Sequence, residues 1–224
     1  MDLGEVIPGK LIRRYKRFLA DVELGSGEVV TAHCANSGRM TTCWEEGWPV
    51  ILTYHDNPKR KLKYTWELVH NGSTWICVNT HRANALVEEA VKQDLITELR
   101  GYETIRREVK YGEKSRIDLL LERGDEKCYV EVKTCTLMRD GKNEFPDAVT
   151  SRGLKHIEEL LAMKAEGHRA VLLFVVMRED GAGFSVARDI DPAYAECFDK
   201  AQAEGLEILV CQSKISRSNI TLLA

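Results

Sequence analysis

Three residues near the middle of the chain have the types and spacing of metal-assisted phosphate chemistry: Asp118, Glu131 and Lys133. They lie in Arg116-Ile117-Asp118-Leu119-Leu120-Leu121-Glu122-Arg123 and, after Gly124-Asp125, in Glu126-Lys127-Cys128-Tyr129-Val130-Glu131-Val132-Lys133. Gly124-Asp125 is a favoured two-residue hairpin turn. With that turn Arg123 pairs with Glu126, and the register continues until position 118 falls opposite position 131. Alternation puts Glu131 and Lys133 on one face with Tyr129, and Val130 and Val132 on the other. Opposed residues of a hairpin share a face, with Cβ atoms roughly 4.5–5.5 Å apart. Two carboxylates so placed repel each other, and a hard cation with oxygen ligands offsets the repulsion. Mg²⁺ or Mn²⁺ bound by one or two carboxylates takes its remaining ligands from water and substrate phosphates. The chemistry this predicts is phosphodiester hydrolysis, with Lys133 orienting water and countering the developing negative charge. A further carboxylate from the preceding helix, Glu88 or Glu89, would complete the site.

The plainer reading is an ion pair on an exposed strand. An acid and a lysine two residues apart are common, and Asp118 could pair with Arg116 or Lys133. Against it, Asp118 interrupts an otherwise apolar strand, where a charge is costly without a partner or a job.

The elements that must position these residues are readable in outline. Short strands are expected at 10–22, 29–33, 49–54 and 74–78, separated by Gly25-Ser26-Gly27, Asn36-Ser37-Gly38 and Asp56-Asn57-Pro58. Such strands suggest a small barrel, and a five-stranded oligonucleotide-binding barrel over residues 1–81 is the preferred version. Residues 82–224 then read as a second, α/β domain. Apolar spacing predicts a helix over 83–99, ended by Gly101. Three strands follow at 105–110, 116–121 and 128–133. After them come a helix at 150–166, a strand at 169–177, a helix at 192–205 and a strand at 206–211.

Composition sets the limits. In 224 residues, 44% are hydrophobic and 30% charged, which allows a real core. The longest strongly apolar run, 170–177, is far below the roughly 18 residues that span a bilayer. The opening Met1-Asp2-Leu3-Gly4-Glu5 has no apolar run, so no secretory signal and a cytoplasmic location are expected. Seven cysteines form no C-x-x-C pair, and reduced thiols rather than zinc ligands are expected, even for Cys34 beside His33. The formal net charge is only -3, so a nucleic-acid binder must concentrate its cations locally. It does so in two runs. One holds Lys10, Arg13, Arg14, Lys16 and Arg17 with Tyr15 and Phe18; the other holds Lys59, Arg60, Lys61 and Lys63 with Tyr64 and Trp66. Cations grip phosphates without reading sequence and interleaved aromatics stack bases, although Phe18 and Trp66 could equally be core and the lysines a solvated loop. Arg152, Lys155 and His156, early in the helix after the hairpin, could guide a phosphate, although His156 could equally be a helix-surface residue.

Asp118 and Glu131-x-Lys133 within helix, three strands, helix, strand resemble the PD-(D/E)XK nuclease superfamily. More narrowly, the chain resembles the sugar fermentation stimulation protein A family. Matching segments include Arg13-Arg14-Tyr15-Lys16-Arg17-Phe18, Asn36-Ser37-Gly38-Arg39-Met40, Asn57-Pro58-Lys59-Arg60-Lys61, Val78-Asn79-Thr80 and Phe145-Pro146-Asp147-Ala148-Val149-Thr150. The resemblance implies an oligonucleotide-binding-type barrel joined to a nuclease-like domain, DNA binding of low sequence preference, and a regulatory role in sugar (maltose) metabolism. It adds Arg39 to the candidate nucleic-acid contacts. By the same resemblance Asp118, Glu131 and Lys133 match the core of the site and Glu89 the helical acid. Ala35 stands where proline is expected and Ser151 where glutamate is expected; neither is a proposed metal ligand, and Ser151 puts in doubt a carboxylate from the following loop. Two readings stay open: a Mg²⁺- or Mn²⁺-dependent nuclease acting on DNA or RNA, single- or double-stranded, and a non-enzymatic DNA-binding regulator that keeps the nuclease fold. An unrelated metabolic enzyme has little behind it, since no phosphate-cradling glycine loop or nucleophile–base motif occurs.

Overall fold

The computed structural model describes residues 1–112 and 115–223. Five strands, β1 (Val6–Tyr15), β2 (Leu19–Leu24), β3 (Val29–Cys34), β4 (Pro49–Tyr54) and β5 (Tyr64–His70), run in the order β3-β2-β1-β4-β5. A parallel pairing of β3 with β5 closes them into a barrel, and β6 (Trp75–Cys77) extends it beside β5. This is the five-stranded oligonucleotide-binding-type barrel expected.

Two details differ from the sequence reading. The single strand expected at 10–22 is a hairpin, broken at Lys16 and Arg17, whose φ angles of 47° and 63° no strand can continue. The strand at 64–70 is missing from that reading because Trp66, Glu67 and Leu68 are all buried, so no inside–outside alternation marks it. Trp66, one of the aromatics considered for base stacking, is wholly inside the barrel core with Leu11, Val22 and Leu52.

The second domain starts with α1 (Arg82–Lys92), shorter than expected because a separate 3-10 turn covers Thr97–Leu99. A six-stranded mixed sheet follows, in the order β15-β14-β12-β9-β8-β7. Its strands are β7 (Thr104–Tyr111), β8 (Ser115–Arg123), β9 (Glu126–Cys135), β12 (Arg169–Val176), β14 (Glu207–Ile215) and β15 (Ile220–Leu223). Three short strands, β10 (Leu137–Arg139), β11 (Lys142–Phe145) and β13 (Ala182–Val186), form a small side sheet. α2 (Ser151–Ala165) is capped by the Thr150 side chain, which accepts from the Gly153 N–H. α3 (Pro192–Ala203) is capped in the same way by Asp191.

Both faces of the sheet are covered. Leu119, Leu121, Val130 and Val132 pack with α1 residues such as Leu86 and Val87, while Leu120 and Tyr129 pack with Ile157 and Leu160 of α2. The α1-side core also takes in Ile51 and Leu68 from the outside of the barrel, so one apolar layer joins the two domains. No helix among the described residues is long and apolar enough to cross a membrane.

A buried polar network pins α1 to the barrel. Glu67 is fully buried and accepts from Thr53 Oγ1 (2.8 Å), Asn79 Nδ2 (2.8 Å) and both Nε and Nη2 of Arg82 (2.9 and 2.7 Å). Burial pushes its carboxyl up, but the Arg82 guanidinium and the two neutral donors win and hold it below the usual range. Removing one partner of a buried pair costs more than the pair contributes, because the survivor is left desolvated. Glu67→Ala should therefore lower stability by about 3 kcal/mol in equilibrium urea unfolding, and an unchanged midpoint would contradict this account.

Candidate functional site

The β8–β9 hairpin turns at Gly124, whose φ of 56° glycine adopts without strain. Its ladder runs from Arg123↔Glu126 to Leu119↔Val130, the register read from the sequence. One step before Asp118 and Glu131 the regular pairing ends. Here Asp118 Oδ2 accepts from the Val132 N–H at 2.8 Å, so the carboxylate itself replaces the next rung. Strict alternation also breaks at this point, since Ile117 belongs to the α2-side core and Leu119 to the α1-side core.

Each acid has its own support. Asn84 of α1 donates through Nδ2 to Asp118 Oδ1 at 2.7 Å. Glu131 is buried, and its Oε1 accepts from Lys133 Nζ at 2.6 Å and contacts His156 Nδ1 of α2. The other oxygen, Oε2, is buried without a hydrogen-bond partner. Such an orphan costs about 1–3 kcal/mol or more, which marks the place of a donor or a cation. Burial first, and then the nearby Glu131 charge, push the Asp118 carboxyl up to about 6. Burial also acts upward on Glu131, but the His156 hydrogen bond and the Lys133 charge hold it below the usual carboxylate range.

These residues line a cleft of about 1040 Å³ between the domains. The barrel supplies Arg14, Arg17, Arg39 and His81, and the second domain supplies Asn84, Asp118, Glu131, Lys133, Arg152 and His156. Arg14 braces the barrel wall by donating through Nη2 to the carbonyls of Asn36 (2.9 Å) and Gly38 (3.0 Å). The opposite wall is tied to it where Asp147 Oδ2 accepts from the Met40 N–H at 3.0 Å. A Cβ at position 38 would lie 2.2 Å from the Asp147 carboxylate, so a larger residue there would have to displace the side chain that holds the Met40 N–H.

Other candidates lie elsewhere. Glu89 does not reach the cleft; its carboxylate accepts from the Met1 ammonium at 3.1 Å. Glu88 pairs with Lys92 and Arg107. The helix residue that touches Asp118 is Asn84, one turn before Glu88, a neutral amide where the sequence pattern points to an acid. Arg13 is exposed and paired with Asp21, away from the cleft lining, and Lys155 pairs with Glu159. Lys16 sits exposed in the β1–β2 turn, and Lys59 and Lys61 sit exposed in the β4–β5 loop. Arg60, in the same loop, donates to Thr65 Oγ1 at 2.8 Å. His156 lies at the cleft wall, buried against Glu131, and is not a helix-surface residue. All seven cysteines are free thiols, six of them buried. Among the described residues no group of three or more His, Cys, Asp or Glu side chains is arranged to hold a metal ion. Two carboxylates with one unpartnered oxygen still suit a hard cation that fills its shell with water and phosphate.

The raised Asp118 carboxyl has a signed consequence. The folded state binds this proton more tightly than the unfolded chain, so the contribution to stability is full below about pH 4 and lost as pH rises through about 6. Asp118→Asn removes that loss. Relative to the parent chain, the variant should gain on the order of 1–3 kcal/mol between pH 4 and pH 7 in urea unfolding, whatever its constant offset. A difference independent of pH would contradict the assignment.

Comparison with known proteins covers both domains. The family model described as the SfsA N-terminal OB domain matches residues 12–78, and the sugar fermentation stimulation protein RE domain matches residues 81–219. A sugar fermentation stimulation protein homolog of Acidithiobacillus ferrooxidans is 49% identical over 224 residues, covering 99% of this chain and 97% of its own. One from Geotalea daltonii is 54% identical over 217 residues, covering 97% and 94%. Among solved structures, one described as Pyrococcus furiosus SfsA in complex with Ca²⁺ is 26% identical, covers 99% of this chain and 95% of its own, and has a TM-score of 0.89. The chain belongs to the sugar fermentation stimulation protein family.

Proposed function

We propose that the chain binds nucleic acid with little sequence preference and hydrolyses phosphodiesters in the interdomain cleft, with Mg²⁺ or Mn²⁺ held by Asp118 and Glu131. The observation that carries this reading is the buried, unpartnered Glu131 Oε2 beside Asp118 and Lys133 in a cleft edged by Arg14, Arg17, Arg39 and Arg152. A divalent cation held there supplies concentrated positive charge against the reacting phosphate. The remaining work falls to the chain's own groups. Asn84 and the Val132 N–H orient Asp118. Lys133, half-buried between Glu131 and the cleft, places an ammonium where negative charge develops. The PD-(D/E)XK likeness of Asp118 and Glu131-x-Lys133 supports the same chemistry. So does the description of the Pyrococcus furiosus relative as a Ca²⁺ complex, since Ca²⁺ also takes oxygen ligands.

The barrel supplies the grip. In barrels of this topology the loops between the first and second and between the fourth and fifth strands hold oligonucleotides. Here those loops carry Lys16, Arg17 and Phe18, and Lys59, Arg60 and Lys61; Phe18 is 47% exposed. One observation favours the second reading, a non-enzymatic DNA-binding regulator of sugar metabolism. The helix presents Asn84 rather than a third acid, and no three-ligand cluster exists among the described residues.

Labelled single- and double-stranded DNA and RNA, incubated with Mn²⁺ or EDTA, decide between the two. Cleavage should require the metal and vanish in Asp118→Ala and Lys133→Met. Binding with no cleavage of any substrate, or cleavage that persists in Asp118→Ala, would remove the enzyme reading. In binding titrations, Arg17→Ala with Arg39→Ala should weaken affinity for all sequences alike and flatten the salt slope by about one unit per cation removed. Lys155→Ala, outside the cleft lining, should leave affinity unchanged.

A further inference from the structure

His156 and Arg152 lie one turn apart on the same side of α2, and their contacts fix the state of the imidazole ring. Arg152 Nε lies 3.2 Å from His156 Nε2. A guanidinium nitrogen only donates, so Nε2 must be the acceptor and the neutral ring carries its proton on Nδ1. Nδ1 faces Glu131 Oε1, and in this tautomer it donates to it. The opposite tautomer would set acceptor against acceptor at Glu131 and donor against donor at Arg152. Lys133 Nζ, 3.0 Å from Nδ1, is satisfied by the same Glu131 oxygen at 2.6 Å. Both donors therefore load Oε1, and the buried Oε2 is left free. At the other end, Arg152 is exposed and lines the cleft, and among the described residues its side chain is hydrogen-bonded through Nε alone.

We infer that His156 is a positioning residue that fixes the rotation of the Glu131 carboxylate so that Oε2 faces the cation, and that Arg152 locks the ring and offers its two Nη groups to a phosphate oxygen. This rests on the cation site proposed above. It gives His156 a different task from guiding phosphate, since the ring is buried against the carboxylate. One hydrogen-bonded chain, phosphate to Arg152 to His156 to Glu131, then links substrate grip to the metal ligand. Groups that hold a metal-binding carboxylate commonly change metal affinity by about 10–100-fold when removed.

Two measurements on the intact chain test this. Long-range ¹H–¹⁵N spectra of the metal-free protein should show His156, assigned by its loss in His156→Gln, protonated at Nδ1. Protonation at Nε2 instead would overturn the chain of bonds. Titration with MnCl₂ by calorimetry should give a dissociation constant about 10–100-fold weaker for His156→Ala, with part of the loss restored in His156→Gln, which keeps an N–H donor. Circular dichroism and melting separate this from misfolding, and Arg152→Ala, an exposed position, gives a second variant that should weaken Mn²⁺ by a smaller factor. Parent-like Mn²⁺ affinity in both folded variants would overturn the positioning role while leaving the cation site intact. Failure of the parent chain to bind Mn²⁺ would overturn the site and this inference together.

Discussion

The chemistry depends on the register of one hairpin. Gly124 and Asp125 close the turn between β8 and β9, and every pair down to Leu119 and Val130 follows from it. A slip of one residue would send Glu131 and Lys133 to the α1 face and bring Val130 and Val132 to the cleft. The apolar halves of the same strands prevent this. Val130 and Val132 are buried under α1 beside Leu119 and Leu121, so a slip of β9 would take two large side chains out of that core at about 1.5–3 kcal/mol each. The core thus fixes the direction of the charged residues. Two carboxylates can be held close together because the strands beneath them cannot move.

The domains depend on each other for the same cleft. Among the described residues, the barrel lines the cleft with cations and no carboxylate, and the second domain lines it with the acids, Arg152 and Lys133. Three kinds of contact join them. They share the apolar layer that includes Ile51 and Leu68. Glu67 of the barrel grips Arg82 of α1. Arg178, almost fully buried, ties Asp180 to the Thr42 and Thr136 carbonyls on the two sides. These contacts fix the width of the cleft, so it is a built feature of the fold.

Much of this was legible in the sequence, and the gaps have physical reasons. The hairpin register, the sharing of a face by Tyr129, Glu131 and Lys133, and the Thr150 start of α2 follow from turn chemistry and strand period, which are local. The barrel strand 64–70 was hidden because it is buried on both faces and has no alternation. The side strands β10, β11 and β13 are too short to carry a pattern. Asn84 gives no acidic signal in the sequence, yet its neutral amide holds Asp118 through a hydrogen bond. Family likeness points to Glu89, and the helix turns it toward the Met1 ammonium instead. His156 sat on a helix where only tertiary structure could show that its neighbour is Glu131 and not solvent.

The central claim is that Asp118 and Glu131 share one divalent ion. Crystals grown with MnCl₂ and measured at the manganese absorption edge test it most directly. The account predicts one anomalous peak in the cleft, roughly 2.1 Å from an Asp118 oxygen and from Glu131 Oε2, with Glu131 Oε1 still on His156 and Lys133. A peak elsewhere on the protein, or a Mn²⁺-saturated crystal with no peak between these two carboxylates, would contradict it.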